Sequence, residues 1–65
     1  MQGMKHNNYV ISFKNGKTVF ASAFNETEAI ILSQAVMIKN GFTYEVEDVR
    51  ETRYMDDAKL TDFYA

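Results

Sequence analysis

The stretch that decides the fold is residues 9–21, YVISFKNGKTVFA. Its two ends are rich in β-branched and aromatic side chains, which favour β-strands, and between them lies Lys14-Asn15-Gly16-Lys17. Asn-Gly is the strongest local signal for a type I′ turn, because both central positions of that turn need a positive φ. A two-residue β-hairpin is therefore predicted, and it sets three cross-strand pairs that face the core: Phe13–Thr18, Ile11–Phe20 and Tyr9–Ser22.

A helix is predicted to follow the hairpin. Asn25 is a good N-cap residue, and Glu28 stands where a capping box has its acid. Apolar residues then continue to about Asn40, where the helix is expected to end. Gly41 can adopt the left-handed conformation that closes many helices.

A third strand is predicted after the helix. Residues 42–47 alternate between apolar and polar side chains, and three of them are expected to face inward: Phe42, Tyr44 and Val46. Val49 is out of phase with this alternation, so we expect a β-bulge near Glu47-Asp48 that returns Val49 to the core side. The strand is expected to end at residue 53 or 54.

These elements define an α+β fold in the order β-β-α-β. A right-handed crossover through the helix places the third strand beside the first. The sheet is thus expected to have three strands, antiparallel or mixed, in the order 2-1-3, with one helix on one face. We expect a flexible N-terminus at residues 1–8, a domain at residues 9–54, and a C-terminal tail at residues 55–65. Helical spacing in the tail suggests a short helix that packs on the domain: Leu60, Phe63 and Tyr64.

The composition bounds the classes of function. The chain has 65 residues, no Cys, a single His and a formal net charge of −2, which indicates one domain without disulfides or thiolate ligands. It has no set of nucleophile, base and acid, no glycine-rich phosphate loop and no calcium-loop spacing. We therefore expect no catalytic residue, no cofactor and no metal site. The polar N-terminus lacks a signal-peptide core and no segment is apolar enough to span a membrane, so a cytoplasmic protein is expected.

The predicted domain has more apolar surface than one helix and one sheet face can bury. The core side of the helix is expected to hold six residues: Ala29, Ile31, Leu32, Ala35, Val36 and Ile38. Ile30 and Met37 then lie on the opposite side near Gln34, while Val10 and Val19 point to the outer face of the sheet. We interpret these five residues as a partner or dimer surface. The alternatives for what covers it are the C-terminal tail, a second copy in a homodimer, or a foreign protein.

Charged residues form two further candidate surfaces. Four acidic side chains are interpreted either as a docking face for a basic protein or as a solvated strand face: Glu45, Glu47, Asp48 and Glu51. The hairpin turn carries Lys14, Asn15 and Lys17, which are either contacts for nucleic-acid phosphates or a solvated turn. The negative net charge argues against nucleic acid.

The segment from Tyr9 to Val49 resembles small, uncharacterised proteins encoded by phages and prophages of low-GC Gram-positive bacteria. The shared pattern is a strand, the Asn-Gly turn, a second strand, a capped Glu-Ala helix start and a Gly-Phe step into the last strand. The resemblance implies an accessory or host-directed role carried out by binding, and it transfers no site residue.

The sequence therefore predicts a non-catalytic protein-binding module, a small phage or mobile-element accessory protein that regulates or inhibits a host protein. The alternative is a nucleic-acid-binding domain that uses the basic hairpin.

Overall fold

A four-stranded mixed β-sheet carries one α-helix on one face. The computed structural model describes residues 6–65, and its elements in chain order are β1 (Asn7–Phe13), β2 (Thr18–Ala23), α1 (Glu26–Lys39), β3 (Val46–Thr52), a 3-10 helix (Met55–Leu60) and β4 (Phe63–Tyr64). The strand order is β3-β1-β2-β4, where β1 is antiparallel to β2 and β3, and β4 is parallel to β2. The predicted α+β class is confirmed and the order 2-1-3 is present, but a fourth strand extends the sheet.

The N-terminal boundary differs from the prediction. β1 begins at Asn7, which pairs with Ala23, and the next residue, Asn8, pairs with Ser22. The Ser22 hydroxyl also donates to the Asn8 side chain at 2.6 Å. Both asparagines therefore belong to the sheet rather than to a flexible segment. The first five residues of the predicted segment 1–8 lie outside the described residues.

The hairpin turn has three residues, so the predicted type I′ turn is wrong. The Phe13 N–H donates to the Lys17 carbonyl at 2.8 Å, and the Gly16 N–H donates to the Phe13 carbonyl at 3.0 Å. Within the turn only Gly16 has a positive φ, of +88°, which is the arrangement of a type I turn followed by a G1 bulge. The side chain of Asn15 stabilises this form, because its Oδ1 accepts from the Lys17 N–H at 2.8 Å.

The longer turn shifts the strand register by one residue and exchanges the two faces of β2. Ile11 lies opposite Val19, where Phe20 was expected, and Tyr9 lies opposite Ala21. The predicted core-facing pairs are therefore replaced. Val19, predicted to lie on the outer face as part of a partner surface, is fully buried in the core.

The N-terminus of α1 confirms the predicted cap. Asn25 Oδ1 accepts from the Glu28 N–H at 2.8 Å. The Glu28 carboxylate accepts in return from the Phe24 N–H at 2.7 Å, one residue earlier than in the usual capping box. Two backbone donors at the helix start are thus satisfied by side chains.

The C-terminus of α1 is closed by Gly41, as predicted. This glycine has a φ of +79°, and its N–H donates to the Ile38 carbonyl at 3.1 Å. The Phe42 N–H reaches back to the Met37 carbonyl at 2.9 Å. These two bonds are those of a Schellman motif, which ends the helix at Lys39.

The rotation of α1 about its axis differs from the prediction. Met37, expected to face away from the sheet, is fully buried together with Ala29 and Ser33. Ile31 and Ile38, expected in the core, are 60% and 58% exposed. Of the predicted core side, Ala29 and Val36 do pack in the core, whereas the other four residues are exposed: Ile31, Leu32, Ala35 and Ile38.

The cause lies in the packing partner of the helix. Apolar residues occur on all sides of α1, so their distribution alone selects no face. α1 packs chiefly on β2, and the register shift gives β2 a core face that includes the small side chains of Ala21 and Ala23. The small residues of α1, Ala29 and Ser33, face the core there, which allows a close approach of helix and sheet. Ile30 is half-buried at the border of this contact.

The predicted bulge in β3 is confirmed. Phe13 lies opposite Val46 and Ser12 opposite Asp48, so Glu47 is the extra residue on the β3 side. Because of this insertion, Val46 and Val49 both pack against the core.

The start of the third strand is later than predicted. Residues 42–45 are not part of the sheet, and Tyr44, expected to face inward, is 52% exposed. Side chains replace the missing ladder bonds: Asn15 donates to the Thr43 carbonyl at 2.9 Å, and Gln34 donates to the Tyr44 carbonyl at 3.2 Å.

The C-terminal tail crosses the outer face of the sheet. Asp57 of the 3-10 helix accepts hydrogen bonds from Thr52 and Arg50 at the β3 edge, the latter at 3.1 Å. At the opposite edge the Tyr64 hydroxyl donates to the Ala58 carbonyl at 2.5 Å. Val10, which points to this face and was predicted to form a partner surface, is only 7% exposed. The tail therefore covers this face. Its helix ends at Leu60, which is exposed, and Phe63 and Tyr64 form β4 rather than the predicted continuation of that helix.

One buried polar group has no partner, and it generates a prediction. Ser33 is fully buried on the core side of α1, and its hydroxyl makes no hydrogen bond. An unsatisfied buried hydroxyl costs roughly 1–3 kcal/mol, and Ala is the better helix former. We expect Ser33→Ala to raise the free energy of unfolding by about 1–2 kcal/mol, measured by urea denaturation. Ala35→Ser, on the exposed side, is the control and should destabilise slightly. A less stable Ser33→Ala variant would contradict the assigned helix face.

The Asp57 anchor generates a second prediction. The hydrogen bond from Thr52, then that from Arg50, lowers the pKa of the Asp57 carboxyl below its usual value of 3.8. A carboxyl whose pKa is lowered by folding stabilises the native state above its unfolded pKa, and this contribution is lost as the pH falls through the folded pKa. We expect Asp57→Asn to lower the melting temperature at neutral pH, and the difference from wild type to shrink as the pH falls below 3.8 and through the lowered pKa of Asp57. Asp56→Asn, whose carboxylate is exposed, is the control. An unchanged difference at low pH would contradict the anchor.

Candidate interaction surface

The main exposed apolar feature among the described residues is a stripe along α1. We call the helix stripe the set Ile31, Leu32, Ala35 and Ile38, all exposed. Ile31, Ala35 and Ile38 are separated by four and three residues, the spacing that places side chains in one row along a helix. The row lies opposite the buried side formed by Ala29, Ser33 and Met37.

Aromatic rings stand at both ends of α1. Phe24 precedes α1, and the His6 ring stacks on it with centroids 4.3 Å apart. Phe42 follows α1, with its ring centroid 5.8 Å from that of Phe63 and 5.2 Å from the Lys17 Nζ. Both phenylalanines are only partly exposed, because their rings contact other side chains of the chain.

The charges around the stripe are asymmetric along the helix. The first turn of α1 carries Glu26 and Glu28, and the last turn carries Lys39. This arrangement complements the helix macrodipole. It also gives the stripe an acidic end and a basic end.

A cleft of about 440 Å³ opens beside the C-terminal half of α1. It is lined by Gln34, Thr43, Tyr44, Glu45 and Val46. The structure thus brings together Gln34 and Glu45, which the sequence assigned to separate surfaces. The Gln34 amide is already bonded to the Tyr44 carbonyl, and none of the lining side chains is a strong nucleophile. The cleft exposes the tyrosine ring of Tyr44.

The predicted partner surface is dispersed by the fold. Met37 and Val19 are fully buried, Val10 is buried under the tail, and Ile30 is half-buried. Gln34 alone lines a cleft. The exposed apolar residues are instead those of the helix stripe, whose three- and four-residue spacing is visible in the sequence. The sequence predicted these residues to face the core, because apolar residues occur on every side of the helix and do not indicate which side is buried.

The predicted acidic docking face is divided between two faces of the sheet. Asp48 lies opposite Ser12 on the outer face, whereas Glu51 lies opposite Tyr9 on the helix side. Glu47 is the bulged residue. All the acidic side chains of this set are exposed, but they do not share one surface.

The predicted nucleic-acid contact is engaged in contacts within the chain. Lys14 Nζ lies 3.3 Å from a Glu45 carboxylate oxygen, and Lys17 Nζ lies over the Phe42 ring. Asn15 donates to a backbone carbonyl and, at 3.7 Å, to the sulfur of Met37. The turn therefore presents less free positive charge than its sequence suggests.

A second cleft, of about 460 Å³, lies where β1 begins and β3 ends, and its lining is mainly polar: His6, Asn7, Asn8, Glu51, Thr52 and Arg53. Within residues 6–65 there is no group of three or more His, Asp or Glu side chains placed to hold a metal ion. Over the same range, no helix combines the length and the apolar character needed to cross a membrane.

Comparison of the chain with protein-family models, with curated proteins and with solved structures gave no match. The resemblance to phage-encoded proteins stays a prediction. The proposed function therefore rests on the helix stripe.

The engaged hairpin generates a third prediction. We expect no salt-sensitive binding of a random-sequence DNA or RNA duplex in a gel-shift assay at low ionic strength, because the net charge is −2 and both turn lysines have partners within the chain. The variant Lys14→Glu with Lys17→Glu should behave as the wild type does. Retention by the wild type that this variant abolishes would instead support nucleic-acid binding.

Proposed function

We propose that this protein is a non-catalytic protein-binding module whose interaction surface is the helix stripe. The observation that carries the proposal is the 60% and 58% exposure of Ile31 and Ile38 on a helix whose opposite side is fully buried. Single exposed apolar residues are ordinary on protein surfaces. An aligned row of them along the one long helix is typical of a docking surface.

The shape of the surface favours a helical partner. The stripe is a narrow ridge with three- and four-residue spacing, and Ala35 lies between the two isoleucines. A second amphipathic helix can lay its own apolar ridge beside this one and approach closely over the alanine. A broad flat partner would leave the polar flanks of the ridge, such as Thr27, poorly paired.

The energetics favour moderate affinity. Full burial of an aliphatic side chain contributes roughly 1.5–3 kcal/mol, so the exposed part of Ile31 and of Ile38 can contribute about 1–2 kcal/mol each. Leu32 adds to this total. Association costs about 4–15 kcal/mol, so we expect micromolar or weaker binding through the stripe alone.

The absence of catalytic groups in the sequence supports a binding role. The chain has no Cys and a single His, and that histidine stacks on Phe24. The clefts present no activated nucleophile beside an acid or base. A regulator or inhibitor of a host protein, the role implied by the resemblance, would act through a surface of this kind.

The proposal generates a fourth prediction, tested with displayed peptides because it needs no known partner. A library of amphipathic helical peptides is selected on the immobilised protein, and we expect enrichment of sequences with apolar residues at three- and four-residue spacing. The double variant Ile31→Asp with Ile38→Asp should bind the enriched peptides at least about 30-fold more weakly, since about 1 kcal/mol is lost at each position.

The matched control is Leu60→Asp, because Leu60 is 80% exposed but lies in the 3-10 helix. This control should bind the peptides as the wild type does. Circular dichroism should show that all variants are folded, since neither isoleucine is a core residue. Peptides that bind the double variant as tightly as the wild type would overturn the proposal.

A further inference from the structure

We infer that the helix stripe pairs two copies of this chain, with their α1 helices antiparallel about a twofold axis that passes beside Ala35. The inference rests on the proposed function and specifies its partner. It follows from the opposite charges at the two ends of α1, from the position of the charged residues beside the stripe, and from the symmetry of a homodimer.

The direction of pairing follows from the charges at the helix ends. The first turn of α1 is acidic and the last turn carries Lys39. A parallel pair would place Glu28 of one chain against Glu28 of the other, and it would align the two helix dipoles. An antiparallel pair places the acidic end of each helix against the basic end of its neighbour. Only the antiparallel arrangement is complementary.

The two charged residues also lie on the same flank of the stripe. Glu28 and Lys39 are eleven residues apart, which is close to three helical turns. A twofold axis across an antiparallel helix pair brings each flank against the same flank of the partner. Glu28 of one chain therefore faces Lys39 of the other, and the symmetry makes this contact twice.

The apolar residues fit the same axis. The midpoint between Ile31 and Ile38 lies between Gln34 and Ala35, so an axis at this point sets Ile31 of one chain beside Ile38 of the other. The methyl group of Ala35 then lies near the axis, where the two backbones come closest. One isoleucine substitution removes two contacts, because the interface is isologous.

Disulfide trapping tests the arrangement directly, because the chain has no Cys of its own. Ala35→Cys should form a disulfide-linked dimer rapidly under mild oxidation. Ile31→Cys mixed with Ile38→Cys should give the mixed dimer. Each of these two variants alone should crosslink poorly, since its own pair of residues is offset by about 10 Å along the helix. Leu60→Cys is the control for random collision and should crosslink slowly.

Sedimentation equilibrium measures the association itself. We expect a dimer at about 100 μM wild type, and a dissociation constant raised at least about 30-fold by Ile31→Asp, because two contacts of about 1 kcal/mol are lost. Lys39→Glu should weaken the dimer by a smaller factor. Glu28→Gln, which keeps the oxygen that accepts from the Phe24 N–H, should do the same without loss of the helix cap.

The outcomes separate the inference from the proposed function. A wild type that is monomeric at about 1 mM, or cysteine variants that crosslink no faster than Leu60→Cys, overturns the inference. Selected peptides that still bind the stripe of such a monomer leave the proposed function standing with a foreign partner. Crosslinks of Ile31→Cys to itself, in preference to the mixed pair, would show parallel pairing and also overturn the inference.

Discussion

The turn at Lys14–Gly16 is the constraint on which the rest of the structure depends. Gly16 accepts the one positive φ that the turn needs, and Asn15 stays in an ordinary conformation because its side chain bonds the Lys17 N–H. The resulting three-residue turn decides which side chains of β2 face the core. Val19 consequently enters the core. The amide of Asn15 also contacts the sulfur of Met37, so the turn connects the strand register to the rotation of α1.

The rotation of the helix in turn decides which surface is left for a partner. With Met37 under the turn and Ser33 buried on the same side of α1, Ile31 and Ile38 point into solvent. The outer face of the sheet is closed at the same time. The chain leaves β3 at one edge, crosses that face through the 3-10 helix and forms β4 at the other edge. Two connections join parallel strands: α1 joins β2 to β3, and the 3-10 helix joins β3 to β4. They run in opposite directions across the sheet. Two right-handed connections with opposite directions must lie on opposite faces of the sheet. The helix stripe stays exposed in this arrangement.

The features that local chemistry determines were predictable from the sequence. The Asn25 cap, the glycine that ends α1 and the bulge at Glu47 each depend on a few neighbouring residues and on side-chain alternation. The turn type was not predictable in this way, because Asn-Gly fits both a type I′ turn and a type I turn with a bulge. In the folded chain the Asn15 side chain bonds both the nearby Lys17 N–H and the distant Thr43 carbonyl, and the second of these contacts is not visible in the local sequence.

The wrong core faces predicted for β2 and α1 both follow from the one-residue shift in the register of β1 and β2. The helix stripe could not be located from the sequence because α1 is apolar all round, and the face that packs is chosen by the shape of β2 rather than by hydrophobicity. The sequence analysis did not predict β4 for a different reason. Its two residues, Phe63 and Tyr64, are too few to show a strand pattern, and their pairing with β2 exists only after the tail has crossed the sheet.

The composition of the helix stripe is itself an argument for a binding role. Ile31 and Ile38 do little for the folded monomer, because most of each side chain stays in water. As β-branched residues they are poorer helix formers than Lys, Glu or Gln would be at the same exposed positions. An aligned apolar row also carries a risk of aggregation that a polar face would avoid. Residues that cost helix stability and solubility in the isolated chain are expected where their burial against a partner offsets both costs. The same reasoning explains why the stripe lies on the capped helix, since a surface fixed by an N-cap and a Schellman motif loses little conformational entropy when a partner binds.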